Sequence, residues 1–121
     1  MRSFCLPMMQ ATNLTRRTVL AKDLAVADTF WSSLVGLMGR RALEAEAGLW
    51  IVPCQSVHTF WMRFPIDVVF VDQRKTVVHV VENMKPFRIS RHVSKARSVI
   101  ELPANVIRIT MTSVGDQIDI S

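Results

Sequence analysis

Valine and isoleucine dominate the chain: sixteen Val and eight Ile, together 24 of 121 residues. Stiff β-branched side chains pack well on a pleated surface and lose rotamer freedom in a helix, so this excess points to strands. They fall in short runs between turn signals, at 48–53, 66–72, 76–84, 97–102 and 117–120. No solenoid or propeller period appears, and no low-complexity tract divides the chain. At 13.7 kDa it reads as one domain that buries roughly two-thirds of its unfolded surface, without need of a disulfide or metal.

The remaining segments set the architecture. Residues 15–27 read as two short strands about a Lys22-Asp23 turn. Asp28 suits a helix N-cap, and Phe30, Leu34, Leu37 and Met38 make one apolar helical stripe that Gly39 ends, giving a short helix near 29–38. Residues 55–62 read as a strand that forms a hairpin with 66–72 around Arg63-Phe64-Pro65, and Gln73-Arg74-Lys75 is a polar turn. Over 104–112, Ile107, Ile109 and Met111 alternate with Arg108, Thr110 and Thr112, a strand pattern. Its length and place after Pro103 equally allow a second helix near 104–111. The expected fold is mainly β, a small β-sandwich or barrel with the helix over one end. Residues 1–14 are expected to be a loosely ordered leader, and 15–121 the single domain.

Half the residues are hydrophobic and 21% are charged, which excludes a disordered or fibrous chain. No apolar run reaches bilayer length, so no membrane span is expected. The apolar patch at 4–9 contains Pro7, is shorter than a signal h-region and lacks a small-residue cleavage site, which favours a cytoplasmic location. Cys5 and Cys54 are too far apart in sequence to form a zinc motif alone, and neither a metal nor a cofactor is expected.

The block PCQSVHTFWMRFPIDVVFVD at 53–72 resembles the bacterial and archaeal domain-of-unknown-function family 192, as do GLMGR (36–40), VVENMKPFR (80–88), SVIELPA (98–104) and VGD (114–116). The resemblance spans about 19–120. It implies a compact, mainly β domain and brings no activity, cofactor or substrate. Some relatives carry export signals, which makes the periplasm the alternative location. This chain has Trp31-Ser32 where relatives often have a charged pair. Relatives also read as a short helix after the ELPA element, with Gly where this chain has Asn105.

Cys54, Ser56, His58, Arg63 and Asp67 are the polar members of the densest block and form a candidate ligand site. A catalytic reading would join Ser56 or Cys54, His58 and Asp67 as nucleophile, base and orienter. In a strand, however, Cys54 and His58 stand ~13 Å apart at ~3.3 Å per residue. In the expected hairpin register, His58 shares an apolar face with Phe70 while Asp67 points to the other. A buried or half-buried His58 held by Ser56 or a backbone carbonyl is therefore preferred, with Arg63 and Asp67 as a loop-fixing ion pair and Cys54 as a small packed hydrophobe.

Fifteen Lys and Arg against ten Asp and Glu give a net charge of +5. Residues 85–97 contain Lys85, Arg88, Arg91, Lys95 and Arg97 and no acid, so the rest of the chain is balanced at ten of each sign. These five cations are the candidate anion site. Nucleic acid is disfavoured as its occupant because Phe87 is the one aromatic platform in the segment. Glu82 and Glu101 lie in strands as candidate inward carboxylates, read as edge or rim residues, and no catalytic pair is assigned. The leading expectation is a non-enzymatic domain that binds a small ligand, a small anion being the candidate, or a partner through the 54–67 block and the 85–97 loop. The alternatives are a small hydrolase or transferase using His58 with Ser56 or Cys54, and a weak nucleic-acid or acidic-protein binder acting through 85–97.

Overall fold

All six side chains of one strand, Ile66–Val71, are buried, so the sheet around it must be covered on both faces. The computed structural model describes residues 8–27, 46–60 and 62–121. In chain order the elements are β1 (Met8–Asn13), β2 (Thr18–Ala27), β3 (Ala47–Ile51), β4 (Ile66–Val71), β5 (Val77–Met84), β6 (Ser98–Pro103), α1 (Val106–Thr110) and β7 (Ile118–Ile120). The seven strands form one sheet in the order β5-β4-β6-β3-β2-β1-β7. β2 and β3 pair in parallel and the other neighbours are antiparallel.

The two edge strands meet at one end. Thr76 bridges Gln117, the Val77 N–H donates to the Asp116 carbonyl at 2.8 Å, and the Ile118 N–H donates to the Lys75 carbonyl at 2.9 Å. The sheet is therefore curled into a half-barrel, the barrel form of the expected mainly β fold. Its inside collects Ala11, Leu24, Val69, Val77, Leu102 and Ile118 from six strands, with Ile107 of α1. A second core lies on the other face, where Leu49, Ile51, Ile66, Val68, Phe70 and Val99 are covered by Val57, Phe64, Val93 and Ala96 from irregular segments. Alternation along β4 assigns Ile66, Val68 and Phe70 to this second core and Val69 and Val71 to the first.

Several expectations change. Residues 8–13, placed in a leader, are a sheet strand between β2 and β7. The Lys22-Asp23 turn is instead an irregularity within one continuous β2: Met9 pairs with Leu24 and Ala11 with Ala21, so β2 carries one more residue than β1 there. Of the expected 55–62 strand, the described residues form no regular strand and no hairpin with 66–72, because both edges of β4 are taken by β5 and β6. The helix expected near 29–38 lies outside the described residues.

The ambiguous 104–112 segment contains the helix α1, as the family resemblance implied. A strand would have placed Ile107, Ile109 and Met111 on one face. Only Ile107 is buried, while Ile109 and Met111 are 68% and 61% exposed. The Asp67 carboxylate fixes the start of the helix by accepting from the Ile107 N–H at 2.8 Å. Asn105, immediately before it, has φ 78°, a left-handed conformation that costs Gly nothing and that Asn tolerates better than most residues.

Candidate functional site

The two sequence segments singled out above meet in space. Backbone bonds join Val57 to Ser90, Gln55 to Val93 and Thr59 to both Phe87 and Arg88, each within 2.8–2.9 Å, and His58 bridges Ile89 in antiparallel sense. Residues 55–59 and 87–93 thus form an irregular two-stranded ribbon that lies over the second core and seats Val57 and Val93 in it. Its tightest joint is Thr59, which is buried. The Thr59 hydroxyl donates to the Lys85 carbonyl at 2.6 Å and accepts from the Arg88 N–H at 2.9 Å.

This geometry separates the members of the first candidate site. Asp67 is fully buried beneath α1, on the opposite face of the sheet from the ribbon that carries His58. Its oxygens accept from the Asn83 and Ile107 backbone N–H groups, both at 2.8 Å. It is a structural strut, and the expected ion pair with the exposed Arg63 does not form. His58 is half-buried, its ring 5.0 Å from that of Phe60. Ser56 is exposed. Cys54 is half-buried, with its thiol 3.0 Å from the Ser56 carbonyl and its N–H donating to the Arg97 carbonyl. Burial pushes the Cys54 thiol above its ordinary pKa, the Glu101 carboxylate adds to this, and a backbone contact at Ser56 offsets it in part. A thiol so disfavoured as thiolate is a poor nucleophile at neutral pH.

The second candidate site is partly assembled. Lys85, Arg88 and Arg91 line one open groove of about 510 Å³ with Val81, Glu82, Asn83, Met84, Ile89 and Ser90. The groove runs between the end of β5 and the returning strand of the ribbon. Lys95 and Arg97 are exposed but lie outside its lining. Among the described residues the salt bridges are Arg16–Asp116 and Lys22–Glu46, so no carboxylate pairs with any of the five cations. Burial, and then the charge of Arg91, hold the His79 imidazole below the ordinary histidine pKa. The Ser90 hydroxyl is committed to the ribbon, donating to the Arg91 carbonyl and accepting from the Val57 N–H. Among the described residues no cluster of three His, Cys, Asp or Glu is placed to hold a metal ion.

The model of the family described as uncharacterized ACR, domain-of-unknown-function family 192, matches residues 11–120. The chain belongs to this family. A UPF0127 protein of Thermococcus sibiricus is 32% identical over 112 residues, which is 88% of this chain and 71% of the relative. A UPF0127 protein of Pyrococcus abyssi is 33% identical over 99 residues, 78% of this chain and 82% of the relative. A crystal structure of a protein of unknown function from Novosphingobium aromaticivorans superposes with a TM-score of 0.77 at 20% identity, over 93% of this chain and 83% of that one. The family brings a fold and no activity. No helix among the described residues is long and apolar enough to cross a membrane.

Sequence reasoning missed two determinants of the site. Thr59 gave no signal, because its role depends on a segment 26 residues away. The groove's walls at Val81–Met84 read as ordinary strand, since nothing in their pattern says that the chain returns beside them.

Proposed function

We propose that this family-192 domain binds a small anion in the groove lined by Lys85, Arg88 and Arg91. The observation that carries this reading is that three cations without a carboxylate partner among the described residues line one concave surface. Unpaired guanidinium groups present planar donor forks that match carboxylate and phosphate oxygens, and such charge-assisted bonds are roughly twice as strong as neutral ones. The turn that carries Lys85 and Arg88 is held by Thr59, so these backbones are ordered before a ligand arrives. Glu82 also lines the groove. Three cations against one carboxylate favour a compact anion over a polyanionic chain.

The test is a two-dimensional amide NMR titration of the full chain with inorganic phosphate at low ionic strength. Saturable shifts confined to 82–91 are expected, weakening with salt. They should be lost in Arg88→Ala/Arg91→Ala with the rest of the spectrum unchanged. An unmoved wild-type spectrum at millimolar phosphate would sink the proposal.

A further inference from the structure

We infer that the groove takes an amphiphilic anion, a carboxylate or phosphate group attached to an aryl or short acyl body, and not a bare oxyanion; this rests on the groove being an anion site. Its volume of about 510 Å³ lies within the range of small-molecule pockets and is far more than a tetrahedral oxyanion fills. The lining is also mixed. Val81, Met84 and Ile89 share it with the cations, and Ile89 is 68% exposed although the ribbon uses only its backbone. Phe87, outside the lining, lies in sequence between the two lining cations Lys85 and Arg88 and is 69% exposed. Its backbone is held at φ 62° with its N–H on the Thr59 carbonyl. A bare phosphate would satisfy the cations and leave Ile89, and the open part of Val81, in water, Met84 being already buried in the second core. An apolar body on the same ligand would cover Ile89 and Val81 while its anionic head meets Arg88 and Arg91. Apolar burial of this kind adds free energy in proportion to the area removed from water.

The experiment titrates the full chain with inorganic phosphate, phenyl phosphate and phenol, following amide shifts at 81–91. Phenyl phosphate should bind about tenfold more tightly than phosphate, as expected from covering roughly half a phenyl ring. Ile89→Ser should bring the phenyl phosphate and phosphate affinities to within about twofold of each other. Phe87→Ser is the second variant and should reduce the advantage likewise. Both side chains are exposed, so each variant should keep the wild-type spectrum away from the loop. Equal affinity for phosphate and phenyl phosphate would overturn the amphiphile and spare the anion site. Binding of neither would overturn both, and phenol binding as tightly as phenyl phosphate would remove the anion on which the inference rests.

Discussion

Thr59 and Arg88 hold each other twice: the Thr59 N–H donates to the Arg88 carbonyl at 2.9 Å, and the Arg88 N–H donates to the Thr59 hydroxyl, also at 2.9 Å. The hydroxyl in turn donates a hydrogen bond to the Lys85 carbonyl. One buried side chain therefore closes the 85–88 turn that presents two of the groove's cations. Thr59→Val keeps the shape and removes both side-chain bonds, leaving the Arg88 N–H without its acceptor. A loss of about 1–3 kcal/mol in urea unfolding is expected. Phosphate affinity should fall as well, whereas Thr59→Ser should retain both.

Glu101 gives the protein a pH dependence. It pairs across the sheet with Leu49 and Val68, is 4% exposed, and its Oε1 has no hydrogen-bond partner. Burial pushes its pKa from an ordinary 4.5 up to about 8. The folded state thus holds the proton more tightly than the unfolded chain. The resulting stabilisation is complete below the unfolded value and is lost as pH rises from about 4.5 to 8. Glu101→Gln should abolish this slope and melt above the wild type at pH 9, by an amount on the order of a few kcal/mol. Melting curves at pH 5, 7 and 9 check it, and parallel slopes in the two proteins would contradict it.

Asp116 acts in the opposite direction. Its Oδ2 accepts from the Asn13 amide and the Ser113 N–H, both at 3.0 Å, and from the Arg16 Nε at 3.1 Å, tying the β1–β2 turn to the start of β7. Burial alone would raise its pKa; these hydrogen bonds and the Arg16 charge outweigh that and hold it below the ordinary value. The stabilisation is present above the unfolded pKa and disappears as pH falls through the folded one. Asp116→Ala should cost about 1–3 kcal/mol at pH 7 by stranding the buried Asn13 amide and the Ser113 N–H. The variant should also show a shallower loss of stability in acid than the wild type, as read by denaturant midpoints at pH 7 and pH 3.

Gly48 is required by the half-barrel's inner packing. A Cβ there would meet the Leu102 Cδ2 at 3.0 Å, the Leu24 Cδ1 at 3.1 Å and the Ala21 Cβ at 3.2 Å. The two leucine termini can yield, but Ala21 can move only with its backbone. Gly48→Ala should destabilise by about 1–3 kcal/mol through overpacking, and Gly48→Val by more. Thermal denaturation of the pair, with unchanged phosphate binding at the distant groove, measures it.

The mainly β fold was legible because β-branched runs bounded by turn residues carry their own signal, and β3 to β7 follow the runs that announced them. The 55–62 segment misled for a physical reason. Its alternation put Ser56, His58 and Phe60 on the core face, yet Val57 and Thr59 are the buried members and Ser56 and Phe60 are exposed. Local alternation cannot reveal that the neighbouring partner is 87–93 and not 66–72. Residues 104–112 were compatible with strand or helix, and there Asp67, on a strand 40 residues earlier, supplies the acceptor that fixes the helix start and decides between them.

The net charge located five cations in one segment, and that much belongs to the sequence alone. Tertiary structure decided that three of them, Lys85, Arg88 and Arg91, line one groove, while Lys95 and Arg97 do not. Asp67 and His58 do lie on opposite faces of the sheet, as the alternation had indicated, but the structure reaches this by pairing 55–59 with 87–93 and not with 66–72. Composition fixes how much strand a chain can form and where its charge resides. Which side chains come together depends on strand order and on long-range backbone bonds, whose partners lie tens of residues apart and leave no local trace.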